Sequence, residues 1–244
     1  EITVIVDHNK IQSDTWVEQV GALGDLEAKF SSFGWRAARC DGHEFCAIET
    51  ALAQLDTVSG VPKVLIADTV KGKGVSFMEG PAALSADALY LFHSGAPNED
   101  AYARGSAELN AAARARMKEA GLGELTLEQG RRPPRKPALA VERLVNAYST
   151  ALVEQATRNP AIVVLDADLV KDCGLLAFRD KFPERFVECG IAEQDMVSQA
   201  GAMAQQGVVP IAHSFACFLS ARPNEQIYNN ASEGTKVIYA GSLA

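Results

Sequence analysis

The sequence predicts an α/β protein built on open parallel sheets, arranged as two successive parts. Three observations carry this. Short apolar runs rich in Val, Ile and Ala recur without polar alternation, which marks strands covered on both faces. Helical patterns separate these runs, and strand–helix alternation implies parallel pairing with right-handed crossovers. A basic, proline-rich run interrupts the alternation near the middle: Gln129–Pro137 holds three prolines and four basic residues in nine positions, the composition of an extended linker.

In chain order, the predicted strands are Ile2–Val6, Arg36–Arg39, Val64–Thr69, Ile162–Asp166, Arg185–Glu188, Val209–His213 and Lys236–Ala240. The predicted helices are Leu23–Phe33, Glu44–Leu55, Ala140–Thr157, Leu175–Lys181 and Ala192–Gln206. An alanine-rich, charged helix is expected after Gly105, ahead of the proline run. The division that follows is a first α/β domain over 1–104, a linker with a helix over 105–137, and a second α/β domain over 138–244. Because the alternation opens directly on a strand and closes just after another, each domain is expected to be incomplete in this chain.

Composition narrows the function classes. The 244 residues are 48% hydrophobic and 22% charged, enough apolar material for a packed core. A net charge of -8 argues against a nucleic-acid or anionic-membrane surface. No apolar run approaches the roughly 18–20 residues of a membrane span. The odd count of five cysteines, without CxxC or zinc-type spacing, reads as free thiols in a reducing cytoplasm.

Several residues at strand ends are candidates for chemistry, since ligands of open parallel sheets bind beyond the carboxyl ends of strands. Asp7-His8-Asn9-Lys10-Ile11-Gln12 follows the first strand and offers the Asn9 amide oxygen and turn carbonyls, hard donors suited to Mg²⁺; Asp/Asn turns are also common there for purely structural reasons. Lys71-Gly72-Lys73-Gly74-Val75-Ser76 is either an anion-facing loop or a flexible surface loop. His93, in a Gly/Pro turn, is either an acid–base group or a solvated histidine. Asp166-Ala167-Asp168-Leu169 ends a buried strand with two acids, as a site or as a solvated strand end. Phe215 and Phe218, spaced i, i+3, serve either as core or as walls for a flat heterocycle. Glu193 stands out most: in Gly190-Ile191-Ala192-Glu193-Gln194 a carboxylate opens an otherwise apolar helix.

Taken together and in this order, these segments, with Phe33-Gly34-Trp35 and Asp41-Gly42-His43, resemble the transketolase family of thiamine diphosphate enzymes. The resemblance covers nearly the whole chain apart from the linker. It implies two open parallel-sheet thiamine diphosphate-binding domains: the back half of the diphosphate-binding domain, then the front half of the pyrimidine-binding domain. It implies thiamine diphosphate as cofactor with Mg²⁺ (or Ca²⁺) held by Asn9 and by the backbone of Ile11. His93 matches a histidine near diphosphate and substrate. Asp168 and Leu169 match residues touching the cofactor, and Phe215 and Phe218 match the pocket that stacks on the aminopyrimidine. Glu193 matches the activating glutamate, hydrogen-bonded to an aminopyrimidine ring nitrogen.

The implied reaction is ketol transfer of a two-carbon unit from a ketose to an aldose through a thiamine diphosphate ylide. Related synthase or dehydrogenase subunits, and a non-catalytic fragment or scaffold subunit, are the alternatives. The family's metal-binding Gly-Asp-Gly and a later catalytic histidine have no match here, which makes a fragment the expectation. The implied assembly is a cytoplasmic homodimer with active sites at the subunit interface, with separate chains as a source of the missing segments. The substrate is a sugar or sugar phosphate. Where family members acting on phosphorylated sugars often place a serine, this chain has Val170-Lys171-Asp172-Cys173, so a non-phosphorylated or otherwise modified ketose stays open.

Overall fold

The structure, a computed structural model, describes residues 2–94, 96–128, 130 and 144–243. They divide into two compact units: the described residues up to 11 and from 15 to 128, and residues 12–14 with the described residues from 130 onward. Most of the proline-rich run and the first residues of the helix expected from Ala140 lie outside the described residues.

The first unit runs β1 (Thr3–His8), α1 (Val17–Gly21), α2 (Leu26–Ser32), β2 (Arg36–Asp41), α3 (Phe45–Asp56), β3 (Lys63–Asp68) and α4 (Glu99–Glu119). Its sheet is parallel with order β1-β3-β2. The central strand β3 forms because Val64-Leu65-Ile66 is apolar on both faces and two of the three, Val64 and Ile66, are β-branched. Val64 and Ile66 pack with Leu26 and Phe30 of α2. Leu65 packs with Ala51 and Leu55 of α3. All three are sealed from solvent, worth roughly 1.5–3 kcal/mol each by transfer. Asp25 caps α2 by accepting from Ala28 N, and Asn98 caps α4 by accepting from Ala101 N.

Two expectations are corrected. The strands β1 and β2 are not covered on both faces: in β1, Val4 and Val6 pack inward while Thr3, Ile5 and Asp7 are exposed. Edge strands need only one buried face, and an apolar run does not reveal which strand is central. The alanine-rich helix expected after Gly105 starts at Glu99, because the Asn98 cap, not the glycine, sets its first turn.

The second unit runs α5 (Leu144–Arg158), β4 (Ile162–Asp166), α6 (Leu176–Lys181), β5 (Phe186–Glu188), α7 (Glu193–Gln205), β6 (Val209–Phe215), α8 (Ala216–Ala221), α9 (Asn224–Ser232) and β7 (Ile238–Ser242). The four strands are parallel with order β5-β4-β6-β7. Leu165 and Ala212 pack against Met196, Val197 and Ala200 of α7. Helix α7 is keyed to α9 as well. Asn230 Nδ2 donates to Val197 O at 3.0 Å and to Tyr239 Oη at 3.1 Å. Gly201 makes this approach possible, since a Cβ there would sit 2.0 Å from Asn230 Oδ1. All seven predicted strands are present.

Candidate functional site

In the second unit the carboxyl ends of the strands form a row. Glu188, Asp166 and His213 are register partners on β5, β4 and β6, so their side chains share one face of the sheet. His213 is buried, with Nε2 2.7 Å from Tyr148 Oη and Nδ1 3.2 Å from Leu165 O. Burial pushes it down to about 4, so near neutral pH Nδ1–H donates to the carbonyl and Nε2 accepts from the phenol. Burial holds both Asp166 and Glu188 above the ordinary carboxylate range; the Glu188 charge adds to the shift of Asp166, and the Asp168 charge to that of Glu188.

Two turns hang from these acids. Asp168, fully buried, takes the left-handed φ of 58° that few non-glycine residues adopt. Its N–H donates to Glu188 Oε1 at 2.9 Å, and its own Oδ2 accepts from Asp14 N at 2.9 Å. Leu169 N donates to Asp166 Oδ2 at 2.9 Å. After β5, Gly190 N donates to the same Glu188 Oε1 at 2.8 Å, and Ile191 N to Gln12 Oε1 at 3.0 Å. Asp14 is buried beside Lys171, 3.7 Å away, and burial pushes its carboxyl up to about 6 against that cation.

Glu193 is the first residue of α7 and only 2% exposed. Its Oε1 accepts from Arg222 Nη1 at 2.6 Å and from Ser214 Oγ at 3.3 Å. The Arg222 guanidinium also lies 3.8 Å from the centre of the Phe218 ring, and Phe218 sits 5.8 Å from Phe215, centroid to centroid. A buried carboxylate, a hydroxyl, a guanidinium and two tilted rings therefore surround one place at the end of β6. This donor set suits a flat, nitrogen-containing heterocycle: an acid to engage a ring nitrogen and aromatic faces to cover the ring. Sequence reasoning missed Arg222 and Glu188. Ser214 stood in the motif but carried no assigned role. The thiols of Cys173 and Cys189 are pushed up to about 12 by burial and stay protonated; all five cysteines are free.

In the first unit, Asn9 Oδ1 accepts from Ile11 N at 3.0 Å, a tight Asx turn that leaves one amide lone pair for a cation. Ile11 itself is buried. No group of three or more His, Cys, Asp or Glu side chains with metal-binding geometry occurs among the described residues; the hard oxygens that this turn offers are Asn9 Oδ1 and the Ile11 carbonyl. Beside them, Asp68 gathers Arg39 Nε at 2.6 Å, His8 Nδ1 at 2.8 Å and Lys10 Nζ at 3.3 Å. The Arg39 guanidinium, then His8 and Lys10, holds the Asp68 carboxyl well below the usual range. His93 is exposed, with Nδ1 3.1 Å from Lys71 Nζ, and that ammonium also lies 4.6 Å from the centre of the Tyr90 ring. Gly72 has φ 81°, and a Cβ there would meet Met78 O at 2.0 Å, so the Lys71–Glu79 loop closes tightly on itself. Of the residues picked from the sequence, the structure gathers Glu193, Phe215 and Phe218 into one place and Asp168 and Leu169 into one turn. Asn9 and Ile11 share a turn in the other unit.

Comparison with known proteins follows the same division. The transketolase thiamine diphosphate binding domain matches residues 1–90, and the transketolase pyrimidine binding domain matches residues 143–244. The chain belongs to the transketolase family. It is 30% identical to transketolase-like protein 2 of Mus musculus over 264 aligned positions, covering 99% of this chain and 38% of that protein. It is 37% identical to the 6-deoxy-6-sulfo-D-fructose transketolase subunit SqwG of Clostridium sp. (strain MSTE9) over 82 residues, 34% of this chain and 30% of that one. It is 32% identical to 1-deoxy-D-xylulose-5-phosphate synthase of Syntrophus aciditrophicus (strain SB) over 110 residues, 43% of this chain and 17% of that enzyme. The chain thus spans well under half the length of each. No helix among the described residues is long and apolar enough to cross a membrane.

Proposed function

We propose that this chain contributes both the metal-side and the pyrimidine-side residues of a transketolase-like enzyme that moves a two-carbon ketol unit from a ketose to an aldose. The observation that carries the reading is Glu193, a carboxylate sealed to 2% exposure yet placed at a helix start beside two aromatic rings. Bound thiamine diphosphate would supply the electron sink for breaking and making the ketose carbon–carbon bond. Glu193 holds a proton between its carboxyl and an aminopyrimidine nitrogen, with Ser214 and Arg222 fixing its orientation. Phe215 and Phe218 cover the ring and exclude water. Asp168 and Leu169 line the cofactor from their turn. Asn9 Oδ1 and the Ile11 carbonyl would hold Mg²⁺ (or Ca²⁺) against the diphosphate, and His93 with Lys71 would face the anionic end of cofactor or substrate.

The active enzyme is proposed to be a cytoplasmic homodimer with sites at the subunit interface, further segments coming from the same polypeptide or from separate chains. A relative described as a transketolase subunit supports the second arrangement. A non-phosphorylated or otherwise modified ketose is in keeping with Val170 and Cys173, both buried and neither offering a hydroxyl. The synthase likeness over 110 residues favours a second reading, a related thiamine diphosphate synthase. Product analysis with a ketose donor separates the two. The experiment for the first is Glu193→Ala in the full-length protein: turnover should drop by about 10²–10⁴-fold, and undiminished turnover refutes the mechanism. Isothermal titration with thiamine diphosphate and Mg²⁺ supplies a readout independent of turnover.

A further inference from the structure

Two acids at adjacent strand ends, Asp166 sealed from solvent and Glu188 half-buried, are unused by this mechanism. Asp166 is fully buried, and its Oδ1 has no hydrogen-bond partner among the described residues. Its register partner is Glu188, one strand spacing away on the same face of the sheet. With Asp166 sealed from solvent and the half-buried Glu188 beside it, desolvation and mutual repulsion disfavour ionising both. A proton on Asp166 Oδ1, donated to the Glu188 carboxylate, satisfies the orphaned oxygen and leaves one negative charge on the pair. That charge has work to do. Glu188 Oε1 accepts from Asp168 N at 2.9 Å and from Gly190 N at 2.8 Å. Asp166 Oδ2 accepts from Leu169 N at 2.9 Å, and Asp166 O from Cys189 N at 2.9 Å. One oxygen thus ties the left-handed Asp168 turn to the Gly190 turn, which runs straight into Glu193.

We propose that Asp166 and Glu188 share one proton and that the singly ionised pair positions the Asp168–Leu169 turn and the Gly190–Glu193 turn for cofactor binding. The positioning half rests on the cofactor-facing role given above to Asp168, Leu169 and Glu193. Groups facing the pair are His213 from β6, neutral against Tyr148 of α5, Asp168 and Cys173 from the segment after β4, and Cys189 after β5. Asp14 and Lys171 lie one layer out, through Asp168. Losing the shared proton at alkaline pH would place two charges side by side and spread the two turns.

The test uses the full-length protein. Infrared spectroscopy in D₂O near neutral pH should show a protonated-carboxyl C=O band that vanishes in Asp166→Asn. The asparagine keeps an N–H donor toward Glu188, so thiamine diphosphate affinity should stay within about fivefold of the parent at neutral pH. It should also lose the alkaline fall-off that the parent shows. Glu188→Ala, which strands two backbone N–H groups, should weaken cofactor binding by about ten- to a hundredfold, with kcat at saturating cofactor far less affected. If Glu188→Ala does not fold, the parent and Asp166→Asn still decide. A missing band, a band that survives Asp166→Asn, or parallel alkaline profiles overturns the proposal. A band in a protein that binds no thiamine diphosphate supports the shared proton and overturns the proposed function instead.

Discussion

Acidification should cost the second unit stability through His213, and the size follows from its surroundings. The imidazole is 1% exposed, with Tyr148 on Nε2 and the Leu165 carbonyl on Nδ1, and burial pushes it from 6.5 to about 4. A lowered folded-state value means the unfolded chain takes up the proton first, so stability present at pH 7 is lost as pH falls through that interval. Linkage gives a loss of about 2 kcal/mol by pH 5 and about 3 kcal/mol by pH 4. The raised values of Asp166 and Glu188 act with the opposite sign, their contribution being lost as pH rises, so the parent protein alone reports a compromise. The difference between parent and His213→Gln removes what both share. Hydrogen-exchange protection of the β4 and β6 amides, measured at pH 7 and pH 5 and corrected for intrinsic rates, is the assay. The parent should lose about 2 kcal/mol relative to the variant across that interval. Parallel pH dependences in the two proteins would refute the reasoning.

Three further outcomes are expected. Gly201→Ala should destabilise the second unit by roughly 1–3 kcal/mol, since the new methyl meets Asn230 in a filled space, and pairing it with Asn230→Gly should restore part of the loss in a urea melt. Gly72→Ala should reshape the Lys71–Glu79 loop, because φ 81° and the Met78 carbonyl both oppose a side chain; limited proteolysis should cut there faster than in the parent. Arg222→Met keeps an apolar stem over Phe218 but removes the donor to Glu193, and should raise the thiamine diphosphate Kd by about tenfold in calorimetry.

The strands were legible because their apolar runs are short and bounded by turn residues, and the central β3 reads as apolar on both faces in sequence and in structure. The exposed face of β1 was not legible: Ile5 looks the same whether a neighbour covers it or not. The short helices α1, α8 and α9 carry too few apolar turns to show a period. At the site, Glu193 was visible as an acid opening an apolar helix. Arg222, 29 residues later, was not, because what brings it back is the α8–α9 corner rather than any local pattern. Glu188 was read as an ordinary strand end. Only the register of β5 against β4 sets it beside Asp166, and pairing register leaves no mark in one sequence.

The Asn230 peg in Gly201 has a consequence for ligand energetics. With α7 anchored by backbone approach to α9 and by Asn230 to Val197 O, the helix has no room to slide or roll. Glu193, at its tip, is therefore delivered to its place by folding itself. Whatever heterocycle docks there meets a carboxylate already immobilised, so the entropic toll of ordering it falls on chain collapse and not on the binding event. Loosening the peg should leave every ligand-facing residue intact and still weaken binding, through a less favourable entropy alone.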